Sequence, residues 1–234
     1  MTVKRTTSYA TASGLAVPEA ARGAALPERT APVTRACGPL PTAVVRDLRQ
    51  RSGRSPHGLY FGAHDIVAVT GLPGSGKSTL MRRAVRGVGI DSQDTRDRWD
   101  GRAPRFLPYA VYRPLVRLAH YAGLRRALRR GTAVVVHDCG TQAWVRRWLA
   151  REARRRGGAL HLLLLDVTPD AALRGQRERG RGVTRYAFAR HRGAWARLLR
   201  SVEKGDLPDG CGSAVLIDRA AADVLRRIEF GGTR

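Results

Sequence analysis

The sequence predicts an α/β protein built on a parallel sheet with helices on both faces. Three observations carry that expectation. Short apolar runs alternate with longer helix-compatible stretches from residue 61 onward. A glycine-rich turn joins the first of these runs to a helix. The chain of 234 residues is 43% hydrophobic, enough to bury a core.

The elements follow in order. Residues Asp65 to Thr70 read as a buried strand, and a helix follows the glycine-rich turn to about Arg86. Val88–Ile90 is a short strand. A proline-interrupted region covers 95–112, and an amphipathic helix runs on to Arg130. Ala133–Val136 is a clear strand, and Thr141–Arg156 is helical. Leu160–Leu165 is a strand, apolar throughout except for His161. Pro169–Arg179 is helical, Gly180 and Gly182 break it, and Thr184–Val202 resumes a helix. Ala214–Ile217 is the last strand, with a helix after it to about Ile228. Strands alternating with helices require crossover connections, which favour parallel pairing. Trp144 and Trp148, one helical turn apart, are expected in the packing of their helix. Arg147, Arg151, Arg154 and Arg155 are expected on its solvated face.

Residues 1–60 differ in composition. They hold six of the twelve prolines and few large apolar residues. Such a stretch buries too little surface to offset its ordering entropy, so it is expected to be a disordered extension before a domain spanning 61–234. A short helix is expected at about 41–51, on Val44, Val45 and Leu48. The apolar segment Gly14–Val17 is too short for a secretory signal. No apolar run approaches the roughly 18–20 residues that span a bilayer. Cys37, Cys139 and Cys211 have no metal-binding spacing, and so few cysteines fit a reducing, cytoplasmic setting.

The formal charge is +24, from 43 Lys and Arg against 19 Asp and Glu. Only Lys4, Lys77 and Lys204 are lysines. A basic excess favours anionic partners, nucleic acid among them. Arginine is nonetheless spread along the whole chain with alanine and glycine, as a compositional bias would spread it. Binding alone gives no reason to avoid lysine, so nucleic acid is the less favoured partner.

Gly71-Leu72-Pro73-Gly74-Ser75-Gly76-Lys77-Ser78 fits G-x-x-x-x-G-K-[ST] without a mismatch, after a strand and at the start of a helix. Phosphate oxygens need several backbone N–H groups turned inward. Glycines allow this by taking positive φ and by leaving no Cβ in the way. The helix N-terminus adds partial positive charge. Lys77 is placed to reach the β- and γ-phosphates, Ser78 to ligate Mg²⁺, and Thr79 to support it. No Asn-Lys-x-Asp guanine signature is present, which favours ATP.

Two further segments fall at the ends of predicted strands, where a parallel sheet forms its crevice, and a third lies between two predicted helices. Asp91, Asp94 and Asp97 lie among Arg96 and Arg98. A carboxylate there could take the proton of a hydroxyl acceptor, or the segment could be a charged surface loop. Asp138 ends the Val134–Val136 run, where a Walker B carboxylate would hold Mg²⁺, or else it caps the next helix. Arg177, Arg179, Arg181 and Arg185 flank two glycines between helices, as a mobile lid would.

These residues together resemble the small P-loop kinases grouped with polynucleotide kinase, chloramphenicol phosphotransferase and zeta toxin. The resemblance runs from about 66 to 230. It rests on Gly71–Thr79, Ser92-Gln93-Asp94 with a following arginine, the Val-Val-Val-His-Asp138 strand end, and Leu-Leu-Asp166-Val before the arginine-rich segment. It implies a P-loop NTPase three-layer sandwich with a five-stranded parallel sheet of order 2-3-1-4-5 and an arginine-rich lid. It further implies ATP and Mg²⁺ as ligands and phosphoryl transfer to a hydroxyl acceptor, a small molecule or a nucleic-acid end. On this likeness Asp94 is the base or the acceptor-orienting residue, with Asp91 as the other candidate, Arg96 orients the acceptor, and Arg177, Arg179 or Arg181 stabilise the phosphates. Here Arg96 follows Asp94 by two positions, where polynucleotide-kinase-like members commonly space the pair by three. The alternative is a nucleotide-dependent ATPase that binds nucleic acid in regulation or repair.

Overall fold

The computed structural model describes residues 44–51, 54–101, 109–138, 142–178, 180 and 184–231. All of them fall within one compact unit, Pro41–Arg234. Its centre is strand β3 (Ile66–Gly71), whose six residues are all buried. β3 pairs in parallel with β5 (Val134–Asp138) on one side and β6 (Leu160–Leu165) on the other. β4 (Val88–Ile90) lies beyond β5, and β7 (Cys211–Ile217) beyond β6. In chain order these five strands stand as 2-3-1-4-5, the order the resemblance implies. Buried on both faces, such strands read as continuous apolar runs, which is why Leu160–Leu165 was legible. His161 fits there because its Nε2 meets Asp65 at 2.9 Å and its Nδ1 meets Ser213 Oγ at 2.7 Å.

Two differences from expectation lie at the edges. The segment expected as a helix at 41–51 holds a strand, β1 (Val44–Asp47), which extends the sheet beyond β7 with Val44 opposite Ser213. The open edge of β7 offers unpaired backbone groups, and two adjacent β-branched valines suit a strand better than a helix turn. Leu48 then buries itself and donates its amide to Leu216 O at 2.9 Å. The boundary expected at residue 60 is therefore crossed by ordered pairing. The helix expected to run to Ile228 stops early: α7 covers Arg219–Val224, and β8 (Arg227–Phe230) follows. β8 pairs in parallel with β2 (Gly58–Phe61) in a separate two-stranded sheet. Its alternation of Arg227 and Glu229 with Ile228 and Phe230 is a strand period, and Ile228 is fully buried.

The helices fall between the strands. α1 (Lys77–Ala84) follows β3, α4 (Ala143–Arg155) joins β5 to β6, and α5 (Pro169–Arg177) and α6 (Arg185–Glu203) join β6 to β7. The region expected to be broken by prolines contains α2 (Ser92–Asp100) and the start of α3 (Tyr109–Arg129), which carries Pro114 inside it. Along α4, Arg147, Arg151, Arg154 and Arg155 are exposed as expected. Trp144 is not packed inside: it is 49% exposed, with its ring tilted against that of Tyr121 at 5.3 Å. Among the described residues no helix is long and apolar enough to cross a membrane.

Candidate functional site: a phosphate loop beside two strand-end carboxylates

The loop between β3 and α1 is shaped by its glycines. Gly74 and Gly76 take φ of 86° and 102°, values that a side chain strains. A Cβ on Gly74 would run into the Ala172 carbonyl of α5. Gly76 is the N-cap of α1 and has no side chain to cap it, so the first amides of the helix point outward without a cap partner. Ser75, Lys77 and Ser78 are all buried. The Lys77 ammonium lies across its own loop, donating to the carbonyls of Gly71 at 2.8 Å and Leu72 at 2.7 Å. Pro73 is held from the other side, where Gln176 Nε2 donates to its carbonyl at 2.9 Å. Thr79 lies in the first turn of α1.

Two carboxylates from neighbouring strand ends meet this loop. Asp91 follows β4, is buried, and caps α2 by accepting from the Gln93 amide at 2.9 Å. The Ser78 hydroxyl bonds the same carboxylate. His137 Nδ1 lies 3.0 Å from Asp91 Oδ1 and 2.9 Å from Ser92 Oγ. Burial by itself would raise the Asp91 carboxyl. The His137 hydrogen bond and charge, with Ser78 and the Gln93 amide, outweigh it and hold the group well below the usual carboxylate range. Asp138 ends β5 directly opposite Thr70. Thr70 donates to it at 3.4 Å, and the buried Arg146 pairs with it at 3.3 Å.

The remaining expected residues are more dispersed. Asp94 is exposed in the first turn of α2. Arg96 pairs with Asp100 on its own helix at 3.4 Å. Arg177 is exposed as the last residue of α5. Arg179 and Arg181 lie outside the described residues.

The sequence reading gave His137 no role, because its contacts with Asp91 and Ser92 come from strand pairing that local pattern does not reveal. It also passed over Arg219, at the start of α7. The Arg219 guanidinium lies 3.0 Å from where a Gly76 Cβ would stand. Arg219, Arg174, Asp166 and Asp218 line a cleft of about 420 Å³ beside the loop. The available signal was position, since Arg219 follows the end of β7 on the same sheet edge as the loop.

A family model described as an AAA domain matches residues 66–204. The chain belongs to the AAA domain family. As a P-loop nucleotide-binding member of it, the chain keeps the expected kinship with the small P-loop kinases. No curated protein matches it. Among solved structures, this AAA domain chain is similar to one from the PezAT chromosomal toxin–antitoxin system of Streptococcus pneumoniae. That likeness has a TM-score of 0.48 and 15% identity over 75% of this chain and 80% of the other. It is also similar to the tunicamycin resistance protein of Deinococcus radiodurans, with TM-score 0.36 and 16% identity over 58% and 80% of the two chains. A third is APE1195, with TM-score 0.34 and 18% identity over 69% and 87%.

Proposed function

We propose that the chain is an ATP-dependent phosphotransferase that moves the γ-phosphoryl group to a hydroxyl acceptor. The observation that carries this reading is the meeting of the glycine-shaped loop and buried Lys77 with Asp91 and Asp138 at one sheet edge. The loop amides and Lys77, turning from its own carbonyls, take the β- and γ-phosphates. The donors at the edge are a serine hydroxyl and carboxylates, an oxygen set that fits Mg²⁺. Among the described residues no group of three or more His, Cys, Asp or Glu is placed for a metal. Mg²⁺ beside phosphates is commonly held by only one or two protein oxygens. Ser78 and Asp138 would hold it, and it would neutralise charge on the phosphate oxygens.

Asp91, ionised, buried and beside Ser78, is placed to hold the acceptor hydroxyl by accepting its hydrogen bond. Asp94 stays in the acceptor role as an orienting carboxylate, and Arg96 steadies α2 through Asp100. As the acceptor oxygen bonds to the γ-phosphorus, the bond to the β,γ-bridging oxygen breaks and ADP leaves with the electron pair. The hydroxyl proton, oriented by Asp91, is lost to solvent as the new P–O bond forms. Arg177, Arg179 and Arg181 would bring positive charge to the departing phosphates. The cleft beside Arg219 suits the nucleoside of ATP. The test is calorimetry of the full chain with ATP and Mg²⁺, together with ADP release across hydroxyl acceptors. Binding that Lys77→Ala abolishes, and ADP release that an acceptor stimulates, are expected. Unchanged binding in Lys77→Ala would refute the reading.

A further inference from the structure

A second cavity, of about 670 Å³, opens between β4, α2 and α3. Its size is that of a small-molecule site. Asp91 and Asp94 stand in its wall, so it adjoins the carboxylates assigned above to the acceptor. Its other walls are unlike those of a phosphate groove. Trp99 contributes an indole, and Tyr112 contributes a ring whose hydroxyl is already bonded to Asp100 at 2.7 Å. Leu115 is 51% exposed at this cavity, an apolar surface that gains by being covered. Further along the same face of α3 as Tyr112 and Leu115, Ala119 and Gly123 add almost no side-chain volume, which leaves space for a ring.

The charged groups point to a second requirement. Arg98 and Arg126 both line the cavity, and among the described residues neither guanidinium is paired with a carboxylate. Arg98 is held in place instead by neutral oxygens, the Asp94 carbonyl at 3.1 Å and Thr95 Oγ1 at 3.4 Å. Asp91 and Asp94 share this wall without pairing either guanidinium, so both arginines keep donors for an anionic group. His120 lines the cavity too.

We propose that this cavity takes the phosphoryl acceptor, and that the acceptor is a small hydroxyl compound with a planar unsaturated ring and a negatively charged substituent. The ring packs on Trp99 and Tyr112, the anion meets Arg98 and Arg126, and the hydroxyl turns toward Asp91. The role as acceptor rests on the phosphotransferase reading, whereas the binding preference does not.

The experiment measures binding to the full chain by calorimetry without ATP. The probes are uridine 3′-phosphate, uridine, ribose 5-phosphate, 4-hydroxyphenyl phosphate and a short thymidine oligonucleotide. The two phosphates that carry a planar unsaturated ring, uridine 3′-phosphate and 4-hydroxyphenyl phosphate, are expected to bind, and uridine and ribose 5-phosphate to bind about tenfold more weakly or less. Trp99→Ala and the double change Arg98→Ala/Arg126→Ala are each expected to weaken these two phosphates about tenfold, with Trp99→Phe close to wild type. All these variants should bind ATP with Mg²⁺ as the wild type does, which reports on folding. The inference is overturned if neither of these two phosphates binds, if planar ring and anion make no difference, or if the variants bind unchanged. It is also overturned if the oligonucleotide binds best with steep salt dependence, the mark of a polynucleotide site. ATP binding that survives Lys77→Ala would sink the phosphotransferase reading and leave these binding results standing.

Discussion

Replacing Gly74 by alanine separates two costs in the phosphate loop. The first is conformational. Gly74 has φ of 86°, and an L-residue in that left-handed region loses about 1–2 kcal/mol. The second is steric. The new Cβ would collide with the Ala172 carbonyl and lie 2.7 Å from Gln176 Cγ, and overpacking of this kind costs about 1–3 kcal/mol. Gly157, just after α4, supplies the control. Its φ is 73° and nothing lies within 4 Å of its would-be Cβ, so Gly157→Ala carries the first cost alone. Urea unfolding should show Gly157→Ala lower by about 1–2 kcal/mol and Gly74→Ala by roughly 2–5 kcal/mol, with the slope m unchanged in both. Titration with ATP and Mg²⁺ should leave Gly157→Ala at wild-type affinity. In Gly74→Ala the loop must move away from α5, straining the Gln176 bond to Pro73, and binding should fall. Equal stabilities for the two variants, or full nucleotide affinity in Gly74→Ala, would refute this account of the loop.

Three other perturbations test separate parts of the molecule. His137→Ala should lower kcat about tenfold with little change in KM, and His137→Asn, which can still donate near the Nδ1 position, should recover most of it; equal loss in both would remove His137 from the positioning of Asp91. Burial, with the nearby His137 charge, pushes the His120 imidazole down to about 4, while Asp91 acts in the opposite direction. Between about pH 6.5 and 4 the unfolded chain binds a proton there that the folded chain refuses, so stability should fall by up to ~3 kcal/mol as pH drops through that window. His120→Phe should flatten this part of a urea-unfolding profile against pH, and an unchanged profile would contradict the assignment. Arg49 bonds Asp47, Asp166 and Glu203 at 2.7–2.8 Å. Because these groups are partly exposed, Arg49→Ala should cost only about 1–2 kcal/mol, but hydrogen exchange at Val45–Leu48 should accelerate; protection equal to wild type would show that β1 holds without it.

The legible parts of the chain were those whose signal is local. Gly71–Ser78 carries its requirement in fixed spacing, and β3, β5 and β6 announce themselves because both faces of each strand are buried. The four-residue β1 gives no comparable signal, since its partner β7 lies more than 160 positions away and Val44 is left 54% exposed. β8 is as short, and follows a helix too closely for a change of period to stand out. The choice between Asp91 and Asp94 could not be made locally either. Both lie in one charged run, and only the fold brings His137 and Ser78 to the first of them. Arg146 is hidden for the same reason: four arginines around it on α4 face solvent, while it turns inward to Asp138.

The added strand does more than lengthen the sheet. Just past β1, Gln50 takes φ of 55°, an uncommon value for a residue with a side chain. Its amide donates to Asp218 Oδ2 at 2.8 Å, while Arg49 reaches Asp166 at 2.7 Å. Asp166 and Asp218 follow β6 and β7, and both line the cleft next to Arg219. Asp218 also caps α7, accepting from Ala221 N at 2.7 Å, so the carboxylate that Gln50 holds is the one that starts the helix carrying Arg219. Arg219 in turn lies against Gly76. A continuous set of contacts thus joins the turn after β1 to the phosphate loop through two loops of the cleft. A strand lying before the AAA domain match at 66–204 thereby braces one wall of the cleft beside the glycine-rich loop.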